Sequence, residues 1–285
     1  MADFDKLWDY GDPTTTAKKF LEILEKTELA DNESYVGQLY TQLARTQSLL
    51  RNWDEAYAFL NKAKTLLDKA DNVTKVRYLL ELGRTHNSSG DKKQAYELFN
   101  RAWELAKACQ ADGYAVDAAH MLAIASESPQ MMLDWNLEAL AYAKQSTQPE
   151  AQQWLASLHN NIGWTYFDDG DYPTALEQFE QVLIEREKQG QVENIRIAKW
   201  CIARTQRALG QVDLALKTQL ILLAEHQQTD SEDQYVYEEL AHCYSALNDA
   251  ENASKYAKLA HDLLLQDEWI VNNEPARLKA LNDLM

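Results

Sequence analysis

Residues 159–183 read HNNIGWTYFDDGDYPTALEQFEQVL, and the spacing inside this stretch decides the fold class. Gly163 is followed by Tyr166, a turn at Gly170, then Ala175, Phe179 and Val182. Apolar residues three and four apart line one face of a helix, and a glycine between two such runs marks a turn. The stretch reads as two antiparallel amphipathic helices. Gly163 and Ala175 fall where the helices cross, so their backbones approach closely, while the larger residues fill the space between successive hairpins.

The pattern recurs. A small residue of the first helix stands at Ala44, Gly83, Ala123, Gly163, Ala203 and Ala241, at intervals of 39, 40, 40, 40 and 38. Twelve residues further on, five of the six copies carry the small residue of the second helix: Ala56, Ala95, Ala175, Ala215 and Ala253. Four beyond those stand Leu60, Phe99, Phe179, Gln219 and Ala257. This Gly/Ala, aromatic, small and large apolar signature resembles the tetratricopeptide repeat. The resemblance implies an all-α, right-handed superhelical solenoid of stacked antiparallel hairpins. The period of about 40 exceeds the 34 of the ordinary repeat, so the helices are expected to be about a turn longer. Arrays of lengthened repeats are similar to those of kinesin light chains and of bacterial peptide-sensing regulators of the Rap type.

Punctuation agrees. Gly90, Gly170 and Gly210 each fall seven residues after the first-helix small residue, and all five prolines stand where a helix would start. The expected helices cover about 3–10, 14–27, 33–50, 53–69, 73–88, 91–110, 113–127, 130–146, 150–168, 173–189, 192–209, 211–227, 231–247, 249–266 and 275–284. They group as one array over 1–285: a degenerate hairpin at 1–30, six repeats at 31–266, and a C-terminal capping helix at 274–285. One copy departs, because Trp135 stands where the second-helix small residue belongs. An indole cannot separate two touching backbones, so this hairpin is either splayed or out of register, with Ala139 taking the close contact. Met131 and Met132 are expected as adaptable filler. A mid-array bend or pocket that receives a ligand or second protomer is the functional alternative.

A formal charge of −17 speaks against nucleic acid and anionic membrane as partners, since phosphate binding needs dense Lys and Arg. No run reaches the 18 or so apolar residues of a membrane span, and the acidic start lacks the layout of a secretory signal. Three cysteines, odd in number and far apart, suit a cytoplasmic chain. The six histidines form no metal spacing, and there is no phosphate loop, GxSxG or CxxC. His242 and Cys243 are neighbours on a helix and point about 100° apart, so they make no dyad. The expectation is a non-enzyme without cofactor, a monomer or weak dimer whose partner is a protein or peptide.

The concave positions of such an array lie just after the first-helix small residue, four after it, and three or six before it. They hold Arg45, Arg77, Arg84, Asn87, Asn160, Trp164, Trp200, Arg204, Arg207 and His242 as candidate peptide-binding residues. Three of the arginines share the phrases ARTQ, GRTH and ARTQ. Arginine suits bidentate capture of carboxylates, and Trp164 and Trp200 suit apolar anchoring, which points to an acidic or amphipathic segment. Charge reversal at Arg45, Arg84 and Arg204 would then abolish binding with helicity intact. The competing reading pairs each arginine with a carboxylate of the neighbouring hairpin, such as Glu81 or Glu55, and packs the tryptophans between helices. The lysine–asparagine clamp for chaperone tails known in this family is missing, since Thr41, Arg45, Leu80 and Arg84 stand there. A peptide-responsive regulatory array and a self-associating structural protein remain as alternatives.

Overall fold

A computed structural model describes residues 2–27 and 32–285. The expected boundary between the first hairpin and the first repeat, at 30/31, lies outside the described residues. A short 3₁₀ helix, Asp3–Leu7, precedes α1 (Pro13–Lys26), α2 (Glu33–Leu49), α3 (Trp53–Lys64), α4 (Asn72–Ser89), α5 (Lys92–Ala108), α6 (Asp112–Ala125), α7 (Pro129–Gln145) and α8 (Pro149–Gln152). There follow α9 (Leu155–Asp168), α10 (Tyr172–Gln189), α11 (Val192–Ala208), α12 (Val212–Gln228), α13 (Gln234–Ala246), α14 (Ala250–Leu264), α15 (Glu268–Asn273) and α16 (Pro275–Asn282). Among the described residues there is no strand. The chain divides into two compact units, Met1–Leu158 and His159–Met285.

Within each unit consecutive helices pack as hairpins, which is the fold class expected of the repeat. The crossing residues Ala44, Ala56, Ala95, Ala175, Ala203, Ala215 and Ala241 are fully buried. Each hairpin turn needs one residue in the left-handed region. It falls seven residues after the crossing residue, at Arg51, Gly90, Gly170, Gly210 and Asn248. An aspartate then often caps the second helix: Asp91, Asp171 and Asp249 accept from the backbone amides of Gln94, Thr174 and Asn252. Part of the chain's acidity is therefore used in helix starts.

The copy at Ala123 breaks this rule in a definite way. Its second helix, α7, begins at Pro129, six residues after Ala123, where every other second helix begins nine after. Ser126 and Ser128 are extended, Ser128 caps α7 through Met131, and no left-handed residue is needed. The hairpin is therefore out of register, but Ala139 does not take the crossing place expected of it. Ala139, fully buried, stands ten residues into its helix, at the place of Ala63, Ala102 and Val182. Asn136 replaces the large apolar residue, and Met132 falls at the small position. Met131 and Met132 are not filler, since both are exposed. Trp135 is half-buried against α5, where its indole N–H donates to the Tyr96 hydroxyl at 2.9 Å and its ring meets Trp103 edge-on.

Three other boundaries differ. Helix α3 stops at Lys64 instead of 69, because overlapping tight turns follow, with Leu66 N–H on Ala63 O and Lys69 N–H on Leu66 O. The helix expected over 150–168 is interrupted: Trp154 N–H steps back only three residues, to Ala151 O, which separates α8 from α9. Helix α15 was not expected at all; Asp267 caps it at Trp269 and Ile270. Ile270, Leu278 and Leu281 are buried in one apolar cluster with Leu240, Tyr256 and Leu264 of α13 and α14.

Candidate functional site

The phrases ARTQ and GRTH have a common structural meaning. The first residue is the buried crossing residue. The threonine two further on is wholly buried, and the hydroxyls of Thr46, Thr85 and Thr205 donate to the carbonyls of Leu43, Glu81 and Cys201. The arginine between them reaches a carboxylate, for the most part on the first helix of the next hairpin. Arg45 Nη1 donates to Glu81 Oε2 at 3.3 Å, and Arg204 Nη1 donates to Glu239 Oε1 at 3.1 Å. Glu81 and Glu239 both stand two residues before their own crossing residue, so this clasp is the same in both units.

In the first unit a cavity of about 610 Å³ opens on the inward faces of α2, α4 and α6. Arg45, Arg77 and Arg84 line it together with Leu80 and Asp117. None of the three arginines is unmatched. Arg77 grips Asp5 through both terminal nitrogens, at 2.8 and 2.6 Å, and also donates to the Tyr114 hydroxyl at 3.0 Å. Arg84 donates to Glu81 at 2.7 Å and to both oxygens of Asp117 at 2.5 and 2.6 Å. Burial lowers the pKa of Arg84, but Asp117 and Glu81 more than offset it and raise the value. Arg45 is the most open of the three, with Tyr10 beneath its guanidinium at 5.6 Å. Glu55, the other carboxylate considered for pairing, is exposed on α3. Asn87 does not line the cavity, and its side-chain oxygen is buried without a hydrogen bond.

The second unit holds the other cluster. Arg204 and Arg207 share the fully buried Glu239, Arg207 through Nε at 2.7 Å and Nη2 at 3.0 Å. Burial opposes the Arg207 charge, and its bond to Glu239 restores it and raises the pKa. Trp164 and Trp200 are half-buried with ring centres 6.1 Å apart, and the Trp200 indole donates to Tyr235 O at 3.0 Å. Arg204 lies over both Phe167 and Trp200, at 5.6 and 5.3 Å. Burial lowers the pKa of His242, and Arg207 adds to the effect. Asn160 is half-buried on α9. Arg45, Arg77 and Arg84 thus cluster in the first unit, and Arg204 and Arg207 in the second.

The cavity also contains residues that the concave rule passed over. Tyr114 and Trp154 stand nine residues before Ala123 and Gly163, which is one helical turn beyond the positions that were read. Gln42 and Glu81, two before their crossing residues, were likewise legible as a further row. Asp5, Trp8 and Tyr10 had no such signal. They reach the cavity because Phe4 is buried against Phe20 and Tyr35, and because the Trp8 indole donates to Gln42 Oε1 at 2.9 Å. Among the described residues no cluster of His, Cys, Asp or Glu could hold a metal, and no helix is long and apolar enough to cross a membrane.

Residues 76–109, the α4–α5 hairpin, match the tetratricopeptide repeat family. No curated protein sequence matches the chain. Among solved structures it is similar to a signal transduction ATPase with numerous domains that carries a tetratricopeptide repeat sensor, from Pyrococcus horikoshii. The TM-score is 0.74 at 16% identity, over 93% of this chain and 42% of that one. The apo form of RapI gives a TM-score of 0.67 at 15% identity, over 95% of this chain and 77% of that one. NprR in complex with its cognate peptide NprX gives 0.52 at 18% identity, over 98% and 81%. At these identities the likeness is one of fold.

Proposed function

We propose that the chain, whose residues 76–109 match the tetratricopeptide repeat family and whose fold is similar to that of solved repeat arrays, is a non-catalytic scaffold for a protein or peptide, and that the cavity of the first unit receives part of that partner. The observation that carries this is a preformed opening of about 610 Å³ walled by Trp8, Tyr10, Tyr114, Trp154 and Leu80, with charged groups already fixed in place. Openings of this size are the usual form of a small-ligand or side-chain site, and this one combines an aromatic wall with charged and amide groups. The aromatic wall supports an amphipathic segment. The acidic preference has lost its basis, because Arg77 and Arg84 are committed to internal carboxylates. The Trp164–Trp200–Arg204 face of the second unit is a further candidate contact.

A peptide-responsive array is the second reading, favoured by the likeness to NprR in complex with its cognate peptide. Both readings place a peptide on the array, and they differ in whether binding changes its shape.

Panning a random peptide-display library on the full chain tests the proposal. Tyr10→Ala and Arg45→Ala are the comparison variants, since Tyr10 is 62% exposed and Arg45 shares its carboxylate with Arg84. Sequences retained by the wild type and lost on the variants support the site. Equal retention on all three sinks it.

A further inference from the structure

We infer that the occupant of the first-unit cavity is an amphipathic peptide bearing a cationic side chain that ends at Glu150. This rests on the proposed peptide site and names the chemistry of its ligand.

The charge balance of the lining residues comes first. Four carboxylates, Asp5, Glu81, Asp117 and Glu150, face three guanidiniums, Arg45, Arg77 and Arg84. Asp5 is taken by Arg77, Asp117 by Arg84, and Glu81 by Arg45 and Arg84 together. Glu150 is left over, with no ion pair among the described residues. An anionic ligand would have to take an arginine from a partner it already holds, and separating such a desolvated pair is costly. A cationic ligand breaks nothing and gives Glu150 its counter-charge. The formal charge of −17 draws a cation toward the opening in the same sense.

Glu150 is also held in place. A Cβ on Gly113 would stand 2.7 Å from the Cβ of Glu150 and 3.0 Å from its carbonyl oxygen, so only glycine lets α8 dock against the start of α6. Gln148 stitches the same two segments: its side-chain oxygen accepts from Asp112 N–H at 3.1 Å, and its Nε2 donates to Gln110 O at 2.8 Å. The carboxylate is thus presented by a fixed backbone, which reduces the ordering cost of pairing it with a ligand. Trp154, four residues on, and Tyr10 add ring faces to the same lining, which suit both the stem and the charge of a lysine or arginine.

The experiment is peptide-display panning on the full chain in three forms: wild type, Glu150→Gln and Glu150→Lys. Far-UV circular dichroism checks the folds, and Glu150→Gln is the conservative arm because it removes only the charge. The inference expects wild-type selections rich in Lys or Arg beside an aromatic or aliphatic residue. A synthetic peptide of that composition should bind Glu150→Gln about fivefold more weakly. Its Lys→Gln analogue should bind both forms equally, and Glu150→Lys should select Asp or Glu instead. Wild-type selections without charge bias, or acidic ones, overturn the inference and leave the peptide site standing. No enrichment on any form overturns the peptide site and the inference together.

Discussion

Gly83 lies so close to Phe99 that a Cβ on Gly83 would stand 2.5 Å from Cε1 of the ring. Gly163 bears the same relation to Phe179, at 2.8 Å. Where the crossing residue is alanine, the residue sixteen further on is smaller or slimmer: Leu60, Gln219 and Ala257 follow Ala44, Ala203 and Ala241. The two positions of each hairpin are matched in volume, which is what close packing at a helix crossing requires.

Gly83→Ala should therefore destabilise the protein. Alanine gains about 1 kcal/mol in helix propensity, but overpacking against a fully buried ring costs about 1–3 kcal/mol, so a net loss of about 1 kcal/mol is expected. The double variant Gly83→Ala/Phe99→Leu reproduces the Ala44 and Leu60 pair and should recover part of that loss. Urea denaturation of the three forms reads this out; a stabilised single variant would contradict the volume rule.

Glu239→Gln removes the single buried carboxylate shared by Arg204 and Arg207. Both arginines keep about a quarter of their side-chain exposure, so the cost is below that of a fully buried pair, at roughly 2–3 kcal/mol. Glu33→Gln, by contrast, loses only an ion pair with a 78% exposed Lys69 and should cost well under about 1 kcal/mol. Arg84→Glu and Arg204→Glu belong to the costly class too, so charge reversal there perturbs the fold as well as any binding. Thermal melts of the two glutamine variants compare the sites, and equal shifts would argue against the clasp.

Gln219 fills the place of Phe99 and Phe179, is fully buried, and neither its side-chain oxygen nor its nitrogen has a hydrogen-bond partner. An unsatisfied buried amide costs about 1–3 kcal/mol. Gln219→Leu keeps the approximate shape, removes the polar atoms and should stabilise the chain by about 1 kcal/mol. A lower denaturation midpoint would show that the amide has a use in the packed interior.

Burial holds the pKa of His120 and of His242 below the ordinary histidine value, with Arg84 opposing protonation of His120 and Asp117 favouring it. The unfolded chain takes up these protons as pH falls through about 6.5, while the folded chain resists. Acid therefore favours unfolding, and stability present at neutral pH is lost as pH drops through that value. The double variant His120→Gln/His242→Gln should flatten the decline in Tm between about pH 7.5 and about pH 5.5. An unchanged slope would assign the acid sensitivity to other groups.

The hairpins, their crossing residues and most of the turns were legible in the residues themselves, because helix periodicity and small-residue spacing are local, repeated constraints. Ala44, Gly83 and Gly163 announce their role by sequence distance alone. The misfit at Trp135 was legible as well, but not its resolution, since Met132 and not Ala139 falls at the small position. Tertiary structure decided what the arginines do. Whether Arg84 faces a ligand or Asp117 depends on a carboxylate 33 residues away, and Arg77 meets Asp5 across 72 residues. Pairing energies of that kind follow distance and burial in space, and neither has a period in sequence. The cavity wall from Asp5, Trp8 and Tyr10 is set in the same way, by Phe4 locking a short irregular segment into the core.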